Sequence, residues 1–343
     1  MDRSLQLLVH GRGNAWPVFL GERHPFYDHT DYRDLANAAF SLVATDRGVV
    51  SGDILVDAGH GTVQSLISGV NRIPDCICLT HGHMDHTLGV DWVVQSYWKL
   101  HRKERKYPVY ATVPVYRFLI RSYPQLEENV AFRELVPGQV VSLGLEREIT
   151  LTGFPVYHGP GAVGASMLLF ETGGKRVLFT GDLITPLLRK TDYGTISDPD
   201  LLVVDCNNRF PWPRTNHWSF AGHPRDPMRR SDTLHAFLRE TGNEKFSGPH
   251  LGGGPGRTTA DFMEQVMAEW DSATQPFTVL EFLARINARR VMLIHYSGTE
   301  DQKYYGASVL SADGLRKWVT ETAARAGCGS KFMIPEPGEE VII

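Results

Sequence analysis

The chain has 343 residues, 42% of them hydrophobic and 22% charged, with a formal net charge of −4. That length and balance allow a large buried core and exclude a disordered or low-complexity chain. The slight acidity argues against non-specific coating of nucleic acid, which relies on many Lys and Arg contacts to phosphate, and no apolar stretch is long enough to span a bilayer.

Taken in chain order, short apolar runs predict strands over Leu5–Val9, Phe40–Ala44 and Asp53–Val56, the last stopping at Asp57-Ala58-Gly59. Helical spacing follows over Thr62–Val70, then a buried strand over Ile77–Thr80, then helical spacing again over Thr87–Lys99. The run His101-Arg102-Lys103-Glu104-Arg105-Lys106 reads as a solvated helix end, with phosphate binding as the alternative. A strand over Val109–Ala111 and a helix over Val115–Ser122 precede a strand-rich middle: Phe132–Val136, Val140–Leu143, Ile149–Tyr157, Ser166–Glu171 and Arg176–Thr180. Gly173-Gly174 marks a hairpin turn between the last two. After a strand over Leu201–Asp205, residues 206–260 turn rich in Pro, Gly, His, Arg and Trp, the pattern of a functional loop or lid, with a helix expected within it over Asp232–Glu240. Helices over Asp261–Trp270, Phe277–Ala288 and Leu310–Ala326, and a strand over Arg290–Ile294, complete the prediction.

Cys76, Cys78, Cys206 and Cys328 form no Cys-x-x-Cys pair, so neither a zinc knuckle nor a disulfide framework is expected. Cys76 and Cys78 sit in an apolar run and are expected to fill core space. The opening Met1-Asp2-Arg3-Ser4 lacks a signal-peptide cleavage pattern. Together these features point to a reducing, cytoplasmic location.

One regularity cuts across the element list. Asp57, His81, Asp182, Asp205 and His295 each follow a short apolar strand directly, and polar groups at strand ends can converge on one edge of a sheet. The densest cluster is His81-Gly82-His83-Met84-Asp85-His86, with four potential ligands in six residues. Alternate members of a tight loop point to different sides, so such a cluster can serve two ions about 3.5–4 Å apart. A His-rich solvated loop is the competing reading, and this spacing disfavours it.

His-x-His-x-Asp-His after a buried strand resembles the signature of the metallo-β-lactamase superfamily. The other motifs appear in family order: Asp57 in Ile54-Leu55-Val56-Asp57-Ala58-Gly59, His158 in Val156-Tyr157-His158-Gly159-Pro160, Asp182 in Phe179-Thr180-Gly181-Asp182, and His295 in Leu293-Ile294-His295-Tyr296-Ser297. The resemblance implies an α/β fold, a four-layer αββα metallo-β-lactamase sandwich, formed by residues 1–343 as one domain with 206–260 as an inserted lid or specificity segment. It implies that His81, His83 and His158 hold a first metal, that Asp85, His86 and His295 hold a second, and that Asp182 bridges them. Asp57 is implied as an outer residue bracing the His loop. Two divalent ions are the implied cofactor, with zinc as the expected metal and Mn or Fe as alternatives that such ligands accept. The implied chemistry is hydrolysis by a water activated between the ions.

Within the superfamily the chain is similar to the ribonuclease Z-like and cyclic-phosphodiesterase branch. The similarity is carried by Gly11-Arg12-Gly13-Asn14-Ala15-Trp16-Pro17 before the first core strands, by Pro160-Gly161-Ala162-Val163-Gly164 running to Asp182, and by the late Leu293-Ile294-His295. It implies a phosphodiesterase acting on a cyclic nucleotide, a cyclic phosphate or a nucleic-acid phosphodiester, and a homodimer, as is common in that branch. His158 and Asp182 stand too close for the arm of transfer-RNA processing members, and 206–260 is short for a nuclease's extra domain. The resemblance also implies catalytic roles for Asp85 and Asp182 at the ions. The branch's acidic-plus-histidine proton-donor motif is a point of departure: Asp205 stands where it would begin, and His217 or His223 would supply the imidazole. Arg209, Trp212 and Arg214 can stack on a base and pair with phosphate. The alternatives are a lactone, ester or thioester hydrolase on the same ions, a non-catalytic metal-bound accessory protein and, ranked last, oxygen chemistry at two irons.

Overall fold

Strands whose successive residues face different cores organise the structure. In β3 (Val49–Val56), Ile54 and Val56 face one apolar cluster and Leu55 another. The same alternation runs through β4 (Cys76–Cys78), where Cys76 and Cys78 lie on one side and Ile77 on the other. It recurs in β12 (Leu201–Asp205), with Leu201 and Val203 opposed to Leu202 and Val204. Strands buried on both faces read as unbroken apolar runs because each side chain has a core to enter. The computed structural model describes residues 3–16, 20–21, 30–158, 161–162, 164–206, 209–210, 217–221, 268, 276, 278–295 and 308–343.

The first sheet contains β1 (Arg3–Gly11), β2 (Ala39–Asp46), β3, β4, β5 (Tyr107–Ala111), β6 (Val130–Glu134) and, at its outer edge, β17 (Glu340–Ile342). Its order is β17-β1-β2-β3-β4-β5-β6, antiparallel up to β3 and parallel from β3 to β6. The second sheet contains β7 (Val140–Ser142), β8 (Thr150–Tyr157), β9 (Ser166–Thr172), β10 (Lys175–Phe179), β11 (Thr185–Pro186), β12, β14 (Arg290–Ile294) and β16 (Lys331–Met333). Its order is β11-β8-β9-β10-β12-β14-β16, with β7 also paired to β8 and the run β10-β12-β14-β16 parallel. A short antiparallel pair joins β13 (Arg209–Phe210) to β15 (Ser308–Val309).

Three apolar clusters define four layers. Between the sheets, Leu5, Leu7 and Val9 meet Phe170, Phe179 and Met292. Outside the first sheet, α1 (Thr62–Ser68), α3 (Val90–Leu100) and α4 (Val113–Ser122) cover Leu55, Ile77 and Val109. Outside the second, α5 (Lys190–Ile196), α6 (Val279–Ile286) and α7 (Ala312–Arg325) cover Leu178, Leu202 and Leu293. The result is the expected αββα sandwich. Away from the ligand cluster, Arg147 ties the layers by donating to the Ser4 carbonyl at 2.8 Å and to Thr172 Oγ1 at 2.9 Å.

Most expected elements occur with shifted ends. Gly173 and Gly174 form the two-residue turn between β9 and β10, both at positive φ, +55° and +79°, as a type I′ hairpin turn requires. The helix expected over Thr87–Lys99 occurs as α3, beginning at Val90, while Thr87 ends a separate short helix, α2 (Met84–Thr87). The break falls at Leu88-Gly89, where Gly89 N donates to the Ala58 carbonyl at 2.6 Å. The basic run after α3 is an exposed turn in which Lys103 Nζ sits 4.9 Å from the Trp98 ring centroid. The helices expected over 232–240 and 261–270 lie outside the described residues, save residue 268. Among the described residues, no helix is long and apolar enough to cross a membrane.

Candidate metal centre

The parallel strands of both sheets deliver polar residues at their C-terminal ends, the edge at which open α/β sheets bind ligands. Asp57 follows β3, and Thr80-His81 follow β4 and Leu79. Asp182 follows β10, Asp205 ends β12 and His295 follows β14. His158 arrives from the end of antiparallel β8, while Asp85 and His86 ride on the single turn of α2. The sheets therefore bring together residues more than two hundred positions apart in sequence, and all of those named are buried.

Their ligand atoms fall into two adjoining groups. His81, His83 and His158 form one; Asp85, His86, Asp182 and His295 form the other. Within each group the candidate atoms lie within 4.8 Å of one another. His81 Nε2 is 3.1 Å from His83 Nδ1. Asp182 stands between the groups. Its Oδ2 is 3.8 Å from His81 Nε2, 3.6 Å from His158 Nε2 and 2.9 Å from His295 Nε2, and its Oδ1 is 3.3 Å from His86 Nε2. Asp85 Oδ2 lies 3.4 Å from His86 Nε2 and 3.7 Å from His295 Nε2.

Hydrogen bonds behind these atoms aim them. Asp57 Oδ1 accepts from Thr80 N at 2.8 Å, and its Oδ2 accepts from Thr80 Oγ1 at 2.7 Å. The same Oδ2 lies 2.8 Å from His86 Nδ1, which leaves Nε2 as the nitrogen facing Asp85 and Asp182. Such a carboxylate–imidazole pair fixes both ring orientation and tautomer at metal sites. Thr80 Oγ1 is also 3.1 Å from His81 Nδ1, so one hydroxyl links Asp57 to a second ring. The sequence had pointed to Asp57 but not to Thr80, because a threonine beside a histidine carries no spacing signal.

The electrostatics divide the imidazoles. Burial pushes His158 down to about 4, with only partial relief from Asp182, and His81 is likewise held well below its usual value by burial and by His86. Burial opposes charge on His295 as well, yet Asp182 beside it prevails and lifts the ring to about 10. His86 is also raised well above the ordinary imidazole range, by Asp182, Asp85 and Asp57 against the cost of burial. Although burial opposes ionisation of Asp182, His295 and His86 hold it well below the usual carboxylate range.

Several buried polar atoms that face the two groups lack a well-formed hydrogen bond: His86 Nε2, Asp182 Oδ1 and His295 Nε2. Leaving buried polar atoms unmatched costs about 1–3 kcal/mol each. That cost disappears if they face a cation, and imidazole with carboxylate is a donor set suited to Zn, Mn or Fe. The residues therefore fit a divalent metal centre.

Next to the two groups, His217 Nδ1 lies 3.0 Å from Asp205 Oδ2 and 3.8 Å from Asp182 Oδ2. Its ring lies 4.2 Å from that of His295 and 5.3 Å from that of His158, centroid to centroid. Asp205 is fully buried and also accepts from Leu183 N at 3.2 Å and Trp218 N at 3.4 Å. Arg209 is placed in β13, while Trp212, Arg214 and His223 lie outside the described residues.

Comparisons with known proteins identify the family. A family model described as the metallo-beta-lactamase superfamily matches residues 20–243. The chain is 25% identical over 178 residues to an endoribonuclease, YSH1, of Yarrowia lipolytica, a match covering 44% of this chain and 20% of that one. It is 33% identical over 168 residues to an uncharacterized protein of Mycobacterium tuberculosis, covering 44% of this chain and 72% of the other. Among solved structures, a diphosphatase from the PhnP family superposes with a TM-score of 0.59 at 15% identity, covering 98% of this chain and 97% of the other. The likeness to the endoribonuclease thus spans about a fifth of that protein, and the likeness to the diphosphatase is one of fold. With the ligand cluster at the sheet edges and the family model spanning most of the chain, this protein belongs to the metallo-beta-lactamase superfamily.

Proposed function

We propose that the protein is a metal-dependent hydrolase of phosphodiesters, acting on a cyclic nucleotide or other small cyclic phosphate in preference to a polynucleotide. In this reading His81 Nε2, His83 Nδ1 and His158 Nε2 hold one ion, Asp85, His86 Nε2 and His295 Nε2 hold the other, and Asp182 lies between them. Zinc suits this set, with Mn or Fe as alternatives. When bound, two such ions supply a nucleophilic water at neutral pH and draw charge from the phosphoryl oxygens.

The observation that carries the phosphodiester reading is the Asp205–His217 pair beside the ligands. An alkoxide from ribose is a poor leaving group, and a proton delivered as the P–O bond breaks lowers that barrier. Asp205 holds His217 through Nδ1, so the proton passes through Nε2. Asp205 is held in turn by the backbone of Leu183 and Trp218. The diphosphatase and endoribonuclease likenesses support phosphorus chemistry. We read the chain as one domain, with 206–260 as the segment that selects substrate.

The test is hydrolysis of bis(p-nitrophenyl) phosphate by metal-loaded protein, set against p-nitrophenyl acetate and followed by a panel of cyclic nucleotides. The proposal expects phosphodiester turnover that Asp182→Asn abolishes and inorganic phosphate inhibits. Ester turnover without phosphodiester turnover, insensitive to phosphate, would overturn it in favour of a carboxylic or thioester hydrolase.

A further inference from the structure

The Gly11-Arg12-Gly13-Asn14 stretch lies behind one half of the metal centre. The Arg12 carbonyl accepts the backbone N–H of His295 at 2.7 Å. His295 sits at φ +75°, a region that non-glycine residues rarely occupy and hold only when their surroundings impose it. Arg12 is itself buried, and its guanidinium Nη1 donates to the Pro335 carbonyl at 2.7 Å and faces Glu336 Oε2 at 2.6 Å. Its Nη2 lies 3.7 Å from Asp34. A planar cation gripped by oxygens from two distant stretches fixes the backbone that carries it.

Asn37 extends this brace to the other ligands of the same half. Its Nδ2 donates to the Asn14 carbonyl, and its Oδ1 accepts from His60 N at 2.8 Å. Asn37 N donates to the His60 carbonyl at 3.0 Å. Between them lies Gly59, where any Cβ would stand 1.8 Å from the Asp85 carbonyl oxygen and 2.6 Å from Asn37 Cβ. The adjacent Ala58 N donates to the His86 carbonyl at 2.8 Å. The backbones of Asp85 and His86 thus rest on the Ala58-Gly59 turn that Asn37 holds through His60, and the backbone of His295 on Arg12. The other half is held by residues other than Arg12 and Asn37: His81 by Thr80 Oγ1, His83 through its carbonyl, which accepts from Thr87 Oγ1 at 2.9 Å, and His158 at the end of β8.

We propose that Arg12 and Asn37 are positioning residues for the metal position formed by Asp85, His86 and His295, and that they set its affinity separately from that of the position formed by His81, His83 and His158. The inference rests on the two-metal reading above. It makes the N-terminal segment part of the metal centre's support.

The test is stepwise zinc titration of metal-stripped protein against a chromophoric chelator. It compares wild type, Arg12→Ala, Asn37→Ala and Arg147→Ala, with unfolding followed in parallel. Wild type should bind two equivalents. Arg12→Ala and Asn37→Ala should keep one equivalent at wild-type affinity and weaken the other by about ten- to hundred-fold, the usual effect of removing a support of a metal ligand. Arg147→Ala removes a comparable arginine anchor far from the site. It should lower stability and leave both affinities unchanged. If Arg12→Ala does not fold, Glu336→Gln loosens the same anchor from its exposed end and should give the same one-sided loss. Two wild-type affinities in both Arg12 and Asn37 variants, or a parallel loss at both positions, would overturn the inference. Wild type that takes up no zinc would instead remove the two-metal reading, and this inference with it.

Discussion

Replacing Asp57 by asparagine tests how the His loop is braced without changing its shape. Asp57 sits at φ +57°, which Asn tolerates as well as Asp, so the backbone has no reason to move. The amide oxygen can keep the bond from Thr80 N, now 2.8 Å, but an NH₂ replaces the oxygen that faces His86 Nδ1 at 2.8 Å. When Nε2 holds a metal, Nδ1 carries the proton, so two donors would meet. The loss is one hydrogen bond to a charged group, about 1.5–3 kcal/mol. Falling on the metal-holding conformation, it corresponds to about ten- to hundred-fold in zinc affinity. Asp57→Ala should do more, because it also strands the buried Thr80 N–H and puts alanine in a left-handed conformation, for a total of about 3–5 kcal/mol of folding stability. The assay is zinc competition against a chelator of known affinity, with thermal unfolding of the stripped proteins measured alongside. Asp57→Asn binding zinc as tightly as wild type would refute the claim that this carboxylate aims His86.

Three further outcomes follow from single residues. His217→Ala should retain wild-type metal content and lose about 10²–10⁴ in kcat on a substrate with an alkoxide leaving group, with little loss on p-nitrophenyl phosphodiesters; equal losses on both would exclude a proton-donating role. Burial holds His10 down to about 4 from 6.5, where it packs between Ser41 Oγ at 2.8 Å and Ser65 Oγ at 2.9 Å. Because the unfolded ring binds a proton first, this contribution is complete above about pH 6.5 and falls away as pH drops towards 4, by about 2 kcal/mol between pH 7 and 5. Urea unfolding at the two pH values should show that loss in wild type and a smaller one in His10→Gln. Gly59→Ala should lower stability by about 1–3 kcal/mol or more, since its Cβ has no room against Asp85; a wild-type unfolding midpoint would contradict that packing.

The layers were legible because β3, β4, β12 and β14 are buried on both faces, and such strands leave uninterrupted apolar runs. The candidate site was legible for a related reason: Asp57, His81 and His295 follow β3, β4 and β14, and Asp182 follows β10, so their chain positions mark one shared edge. Less could be read where tertiary pairing outweighs local preference. β17 is a three-residue strand that exists by pairing with β1 across the whole chain, and β16 pairs with β14 in the same non-local way. Helix α5, Lys190-Thr-Asp-Tyr-Gly-Thr-Ile, has β-branched residues and a glycine within seven positions, and it is stabilised by its seat on the second sheet and by Arg189–Asp192 at its start. The helix break at Leu88-Gly89 leaves no local signal because its cause is a contact to Ala58. Thr80 carries no such signal, and Arg12 is visible only as part of its Gly-rich stretch, since the atoms that matter are a hydroxyl and a backbone carbonyl.

The two-metal centre is tested most directly by metal analysis of purified, zinc-loaded protein beside His81→Ala and Asp182→Ala, with folding checked by circular dichroism. Wild type should hold about two equivalents of metal, His81→Ala fewer, and Asp182→Ala should lose metal from both positions because that carboxylate lies between them. Folded wild-type protein that holds no metal after loading, or folded variants that hold as much as wild type, would contradict it.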